Sequence, residues 1–152
     1  MTSGGWRARW LWIVGAPVVM GAVGVLVWWT FGSGGESTAT QRLAAGDCVR
    51  ERAAQRLLPQ VVEKTRCDRP HYGEVFAVLT APESDEYPGA EALTKVGDDC
   101  GRQLWGYAPD LPDGPIFEIA IGIPTVEEWT DGQRSVVCVA QSDTEQWASM
   151  RG

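Results

Sequence analysis

Four cysteines, Cys48, Cys67, Cys100 and Cys138, are spread through this chain, and no two of them form a C-x-x-C pair. Zinc sites usually draw their ligands in close pairs, so an even, dispersed set reads as two disulfides. Three pairings are open. Cys48 to Cys67 with Cys100 to Cys138 is preferred over the two crossed alternatives, because the first closes a strand pair and the second staples a helix to the last strand. Each crosslink restricts the unfolded chain and contributes about 3 to 4 kcal/mol on the chain-entropy account. Disulfides persist in oxidising compartments, so this part of the chain is expected outside the cytoplasm.

All four cysteines lie on one side of a division in charge. Up to Phe31 the only charged side chains are Arg7 and Arg9, whereas the remainder carries all 20 acidic residues and 11 of the 13 basic ones, a net charge of −9. Nucleic-acid binding needs a cationic stripe, and none is visible here. Trp10 to Phe31 is an uncharged run of 22 residues. As a helix it measures about 33 Å, close to the ~30 Å thickness of bilayer hydrocarbon. Trp10 and Trp12 stand at one end and Trp28 and Trp29 at the other, where indole favours the headgroup boundary. Arg7 and Arg9 then place residues 1–9 in the cytoplasm.

A cleaved signal peptide is the rival, but its apolar core is about 7 to 15 residues and ends at a small-x-small site. Ser37-Thr38-Ala39 matches poorly and lies well past the run. An uncleaved single-pass anchor in the plasma membrane is therefore expected. Pro17 is tolerable within it. Gly15, Gly21 and Gly24 contain no G-x-x-x-G spacing, so helix pairing is not indicated.

Residues 32–42 read as a flexible tether, 43–141 as the folded domain and 142–152 as a poorly ordered tail. Within the domain, Gly46 to Val49 suggests a turn into a short strand, and Gln60 to Thr65 its partner. Glu51 to Leu58 fits either a short helix or a loop. Glu74 to Thr80 is a covered central strand with Val75, Ala77 and Leu79 on one face and Phe76 and Val78 on the other. The spacing Leu93, Val96, Cys100, Leu104, Tyr107 predicts one helix over Ala90 to Tyr107 whose buried stripe includes Cys100. Gly97 and Gly101 weaken that helix and allow close approach to a sheet. Ile116 to Ile123 and Ser135 to Gln141 alternate as strands, and Thr125 with Glu128 forms a capping box that places Trp129 in a short helical turn.

His71 is the only histidine, held in a proline-fixed turn between Cys67 and the central strand. Glu74, three residues on, can orient an imidazole, but no serine motif or free thiol accompanies the pair. A structural or partner-contact role is the better reading, and one histidine among scattered carboxylates is not a dedicated metal site. Asp98/Asp99 and Glu127/Glu128 lack the D-x-D-x-D-G spacing of a calcium loop. Pro70, His71, Tyr72 and Trp129 are the candidate partner-binding residues, Trp129 as an interface anchor beside His71. Catalytic residues, metal ligands and cofactors are not indicated.

Several stretches together resemble one family. Gly46-Asp47-Cys48, the Cys67-Asp68-Arg69-Pro70-His71 turn running into Glu74-Val75, Tyr87-Pro88-Gly89 before a helix with Cys100, Pro124-Thr125 to Trp129, Gly132 and Val136-Val137-Cys138 are similar to the septum-formation domain of actinobacterial membrane proteins. The likeness covers Leu43 to Gln141. It implies a membrane-anchored, extracytoplasmic protein with a part in cell-division septum formation, and it carries no catalytic residues across.

The fold expected is α+β: a single transmembrane helix, then a small, mainly antiparallel sheet with one packed helix and two disulfides. The function expected is an interaction module that binds a protein of the division or envelope machinery. The alternative is a sensor domain for a cell-wall fragment, with tryptophans stacking on sugar rings.

Overall fold

The computed structural model describes residues 35–110 and 117–151. The expected membrane span, residues 10–31, lies outside the described residues, and among the described residues no helix is long and apolar enough to cross a membrane. The described part forms six strands and three short α-helices: β1 (Glu36–Ala39), β2 (Cys48–Val49), β3 (Val61–Thr65), β4 (His71–Thr80), α1 (Ala90–Gly97), α2 (Cys100–Tyr107), β5 (Phe117–Gly122), α3 (Val126–Thr130) and β6 (Ser135–Gln146). They assemble into one sheet of order β1-β3-β2-β4-β6-β5, with every pairing antiparallel.

The spine of the sheet is the β4–β6 pair, because these are the longest strands and both are apolar along their middles. On β6, Val136, Cys138 and Ala140 join the core beneath the helices, while Val137 and Val139 face the opposite layer. That alternation is the expected one. On β4 it breaks. Val75 pairs with Val139 and Ala77 with Cys138, so Phe76 is an extra residue opposite the partner strand. A bulge of this kind resets the parity of the side chains. Val75 therefore packs away from the helices, and Phe76, Ala77 and Leu79 all pack toward them, in place of the strict alternation expected.

The helical layer buries Leu93, Cys100 and Leu104 against Phe76, Ile121 and Trp129. The predicted single helix is interrupted at Asp98 and Asp99, whose N–H groups donate three residues back to Lys95 and Val96. Such bonds tighten the chain and turn α2 relative to α1. Gly97 sits at the break because it must: a β-carbon there would lie 2.8 Å from Ile121 Cγ2. The corresponding distance at Gly101 is an ordinary 3.8 Å, so only Gly97 is needed for close approach.

The opposite layer is formed by the chain between β2 and β3, the segment that the sequence left open between helix and loop. It is a loop. Ala54 and Leu57 exchange both backbone hydrogen bonds around Gln55 and Arg56, which have positive φ of 51° and 67°. Leu57 then bridges Ile121, with Ile121 N donating to Arg56 O at 2.8 Å and Leu58 N donating to Ile121 O at 2.9 Å. The edge of β5, a set of backbone groups open to pairing with another chain, is thereby covered. Buried Gln141 holds the loop in place, accepting from Ala53 N and donating to Glu51 O. Leu58 seals the second core with Leu43, Val49, Val62 and Val75.

Two boundaries differ from expectation. Residues 36–39 of the expected tether form β1, paired with β3, and Thr40–Arg42 form a turn of 3₁₀ helix that buries Thr40 against Gly122. Polar composition hid this strand, since an edge strand needs only backbone pairing. Beyond Gln141, the expected tail continues β6 to Gln146, where Gln146 pairs with His71, and Met150 packs on the helical core.

Both disulfides join the preferred partners, Cys48 to Cys67 and Cys100 to Cys138, at sequence separations of 19 and 38. On chain entropy alone, a C100A/C138A variant is expected to lose about 4 kcal/mol and a C48A/C67A variant about 3 kcal/mol, measured by urea unfolding. Equal or reversed losses would show that native-state contacts, and not loop length, set the order.

Candidate functional site

The turn between β3 and β4 carries Cys67, Pro70 and His71. Arg69 N donates back to Arg66 O at 3.0 Å, and the exposed Arg66 and Asp68 side chains pair across the turn. His71 opens β4 and is 2% exposed. Its Nδ1 lies 2.8 Å from the Arg69 carbonyl oxygen. A carbonyl only accepts, so Nδ1 carries the proton and Nε2 is left with the lone pair in the neutral ring.

Glu74 is the other buried ionisable group of this region, at 1% exposure. It stands opposite Cys48 in the β2–β4 register. A regular strand sends side chains three residues apart to opposite faces. Here the register breaks between His71 and Gly73, and an imidazole nitrogen of His71, a carboxylate oxygen of Glu74 and Cys48 Sγ all lie within 4.8 Å of one another. The sequence brought Glu74 to His71, but not Cys48 to the two of them.

The carboxylate is supplied with donors from two other elements. Glu74 Oε1 accepts from Tyr107 Oη at 2.6 Å and from Ser149 Oγ at 2.8 Å, and Oε2 accepts from Met150 N at 2.7 Å. Arg151 places its guanidinium 4.5 Å from the centroid of the Tyr107 ring. Burial pushes the Tyr107 phenol well above its usual range; the hydrogen bond to Glu74 and the carboxylate charge add to this, and Arg151 opposes it. Glu74 thus joins the centre of the sheet, the end of α2 and the C-terminal segment.

Trp129, expected as an exposed anchor, is 1% exposed. Its indole N–H donates to Ser84 O at 3.1 Å, Tyr87 meets it edge-on at 6.0 Å, and the Arg134 guanidinium lies 3.9 Å from its ring centroid. Arg134 is itself occupied by the carbonyls of Trp129, Gln133 and Ser84. The capping box of Thr125 and Glu128 sets the start of α3 as expected and turns the indole inward. A shallow cavity of about 260 Å³ beside it is lined by Glu83, Ser84, Asp85, Gly132 and Arg134.

Of the four candidate contact residues, Pro70 and Tyr72 are half-buried, with the Arg52 guanidinium 5.5 Å from the Tyr72 ring. His71 and Trp129 are interior, so the expected surface pairing of these two is corrected: each donates a ring N–H to a backbone carbonyl inside the fold. Among the described residues the exposed indoles are Trp105 and Trp147, at 67% and 63%. Asp98 and Asp99 face solvent as expected, Asp99 pairing with Arg102 at 2.8 Å. Tyr107 and Ser149 were not legible as partners of Glu74. The one signal was a carboxylate at the head of an otherwise apolar run.

These features define a disulfide-stapled α+β domain whose antiparallel sheet is covered on both faces and whose buried carboxylate fastens its C-terminal segment. The chain belongs to the septum formation family, matching it over residues 19–138. No curated protein and no solved structure matches it.

Two changes check the Glu74 cluster. E74Q is expected to destabilise the chain by about 2 kcal/mol, because the amide keeps one accepting oxygen and sets an NH₂ group either against the Met150 N–H or against the two hydroxyls, and removes the charge from the remaining bonds. Tyr107 titrates higher in the folded chain than at its unfolded value of 10.0. The neutral phenol therefore contributes stability that is complete below that pH and is lost as pH rises above it. Y107F lacks the hydrogen bond at every pH, so its alkaline loss of stability should be shallower than wild type in parallel urea titrations.

Proposed function

We propose that the chain is a membrane-anchored interaction module that acts outside the cytoplasm in cell-division septum formation, by binding a protein of the division or envelope machinery. The observation that carries this reading is membership of the septum formation family over residues 19–138, a span that begins inside the uncharged run and takes in most of the folded domain. The two disulfides support an oxidising compartment. Residues 10–31 supply the anchor, and Arg7 and Arg9 keep the short N-terminus on the cytoplasmic side.

His71 and Trp129 are buried inside the fold, so contact falls to the exposed aromatics. Trp105 on α2 is the first residue to test. W105A should leave stability within about 0.5 kcal/mol of wild type, as expected for a surface change, while reducing recruitment of the chain to division sites. Unchanged recruitment would remove α2 from the contact surface.

The exposure of Trp105 and Trp147 also favours a second reading, a sensor for a cell-wall fragment whose sugar rings stack on indole. It predicts a saturable change in tryptophan fluorescence with muropeptides that is lost in W105A/W147A.

The deciding experiment is a fluorescent fusion at the N-terminus, expressed at native level and followed through division. A band at new septa that disappears when residues 43–152 are removed is the expected result. A uniform membrane signal throughout the cycle would overturn the septal reading and bring the sensor forward.

A further inference from the structure

The two disulfides stand in different chemical surroundings. Cys100 and Cys138 are both fully buried among apolar side chains of the helical core. Cys48 is fully buried too, but its partner Cys67 is partly exposed in the turn, and Cys48 Sγ has a histidine and a carboxylate for neighbours. From this grouping we infer that Cys48, Cys67, His71 and Glu74 form a zinc site when the Cys48–Cys67 disulfide is open, so that metal and disulfide are alternative ways of closing the same corner of the fold.

The four groups make a chemically sensible set. Thiolate, imidazole and carboxylate are all zinc ligands, and ligand atoms around a tetrahedral zinc stand about 3.5 Å apart. Cys48 Sγ, a His71 nitrogen and a Glu74 oxygen are already within 4.8 Å of one another, so a closure of about 1 Å brings them to a common metal. Cys67 Sγ, bonded to Cys48 Sγ in the oxidised chain, is at hand as the fourth ligand.

The surroundings also hold these ligands as metal ligands are held. A zinc-binding histidine characteristically donates its other ring N–H to a carbonyl or carboxylate. His71 Nδ1 does this to Arg69 O at 2.8 Å, which leaves the Nε2 lone pair for a metal. Ligating carboxylates are in turn hydrogen-bonded, and Glu74 is oriented by Tyr107, Ser149 and Met150. Two of those donors occupy Oε1 and one occupies Oε2, so Oε2 keeps a free lone pair. Two thiolates and a carboxylate leave a single negative charge around the divalent ion, and the three donors to Glu74 offset part of it.

The conversion balances. A dithiol reductant gives two electrons and two protons to the Cys48–Cys67 bond, yielding two thiols and its own disulfide. Zinc then replaces both thiol protons, which pass to solvent. Among the described residues no such cluster accompanies Cys100 and Cys138, so their bond remains a crosslink alone.

The test uses the full chain in detergent, opened at the partly exposed Cys48–Cys67 bond with a non-thiol reductant, alkylation and mass mapping showing that the buried Cys100–Cys138 bond stays closed. The opened chain is expected to retain one zinc through gel filtration, to show thiolate-to-metal absorption with cobalt, and to unfold at higher temperature when metal is present. Opened H71Q and E74Q chains should each bind zinc about tenfold more weakly or not at all, and oxidised wild type should retain none. An opened, folded chain that keeps no zinc, or keeps it undiminished after H71Q, overturns the site. If the opened chain is unfolded without metal, restoration of its far-ultraviolet circular dichroism by zinc supports the site, and failure of zinc to restore it counts against it. None of these readouts depends on the septal role.

Discussion

The carboxylate of Glu74 is the interaction on which the arrangement of this domain depends. A buried charge is costly unless it is fully hydrogen-bonded, and here three donors from two other parts of the chain converge on it. The cost of leaving any of them out fixes where α2 ends and where the C-terminal segment lies. α2 is also held by Leu104 and by the Cys100–Cys138 disulfide, whereas the segment after β6 adds mainly Met150 to the core. Hydrophobic burial sets the two layers against the sheet, and the carboxylate sets their register.

The rest of the architecture follows from apolar strands that need cover on both faces. The helices and α3 cover one side, and the loop between β2 and β3 covers the other while also pairing with the edge of β5. Gln141 and Gly97 serve that double cover in opposite ways. Gln141 puts a buried amide where the loop backbone needs both a donor and an acceptor. Gly97 removes a side chain where a helix must touch Ile121. Gln41 departs from the pattern, because its buried amide has no protein hydrogen-bond partner among the described residues.

Much of this was legible because it rests on periodicity and on local chemistry. The strands at β3, β5 and β6, the inward stripe of Leu93, Cys100 and Leu104 and the Thr125–Glu128 cap follow from patterns within about a dozen residues, and the preferred disulfide pairing followed from the elements so placed. What escaped was long-range or backbone-driven. The Phe76 bulge leaves no compositional trace, because every residue around it is apolar. β1 is polar and exists only through its pairing with β3. The Glu74 cluster joins residues more than seventy positions apart, and nothing in Ser149 or Met150 marks them as partners of a carboxylate. Trp129 and His71 misled for a related reason. A rare aromatic or ionisable side chain draws attention as a contact residue, yet each had a backbone carbonyl waiting for its N–H.

That outcome shapes where recognition can occur. A domain crosslinked twice, with its conspicuous polar side chains committed to its own backbone, has little freedom to rearrange when a partner arrives. Binding then favours the surface as it stands, and association is cheap because few groups must be ordered on contact. The chain beyond Phe31 carries a net charge of −9, and among the described residues the large exposed aromatics are the indoles of Trp105 and Trp147. On the reading proposed above, a net acidic chain favours partners that bring cations, since like charge repels the others before contact forms. The corner at Cys48 and Cys67 is the exception to this rigidity. There the backbone is closed by a bond that can be opened, in reach of a histidine whose Nδ1 is already committed and whose Nε2 is not. A stapled scaffold that keeps one adjustable corner can respond to redox or metal conditions locally, while the core that presents its surface stays unchanged.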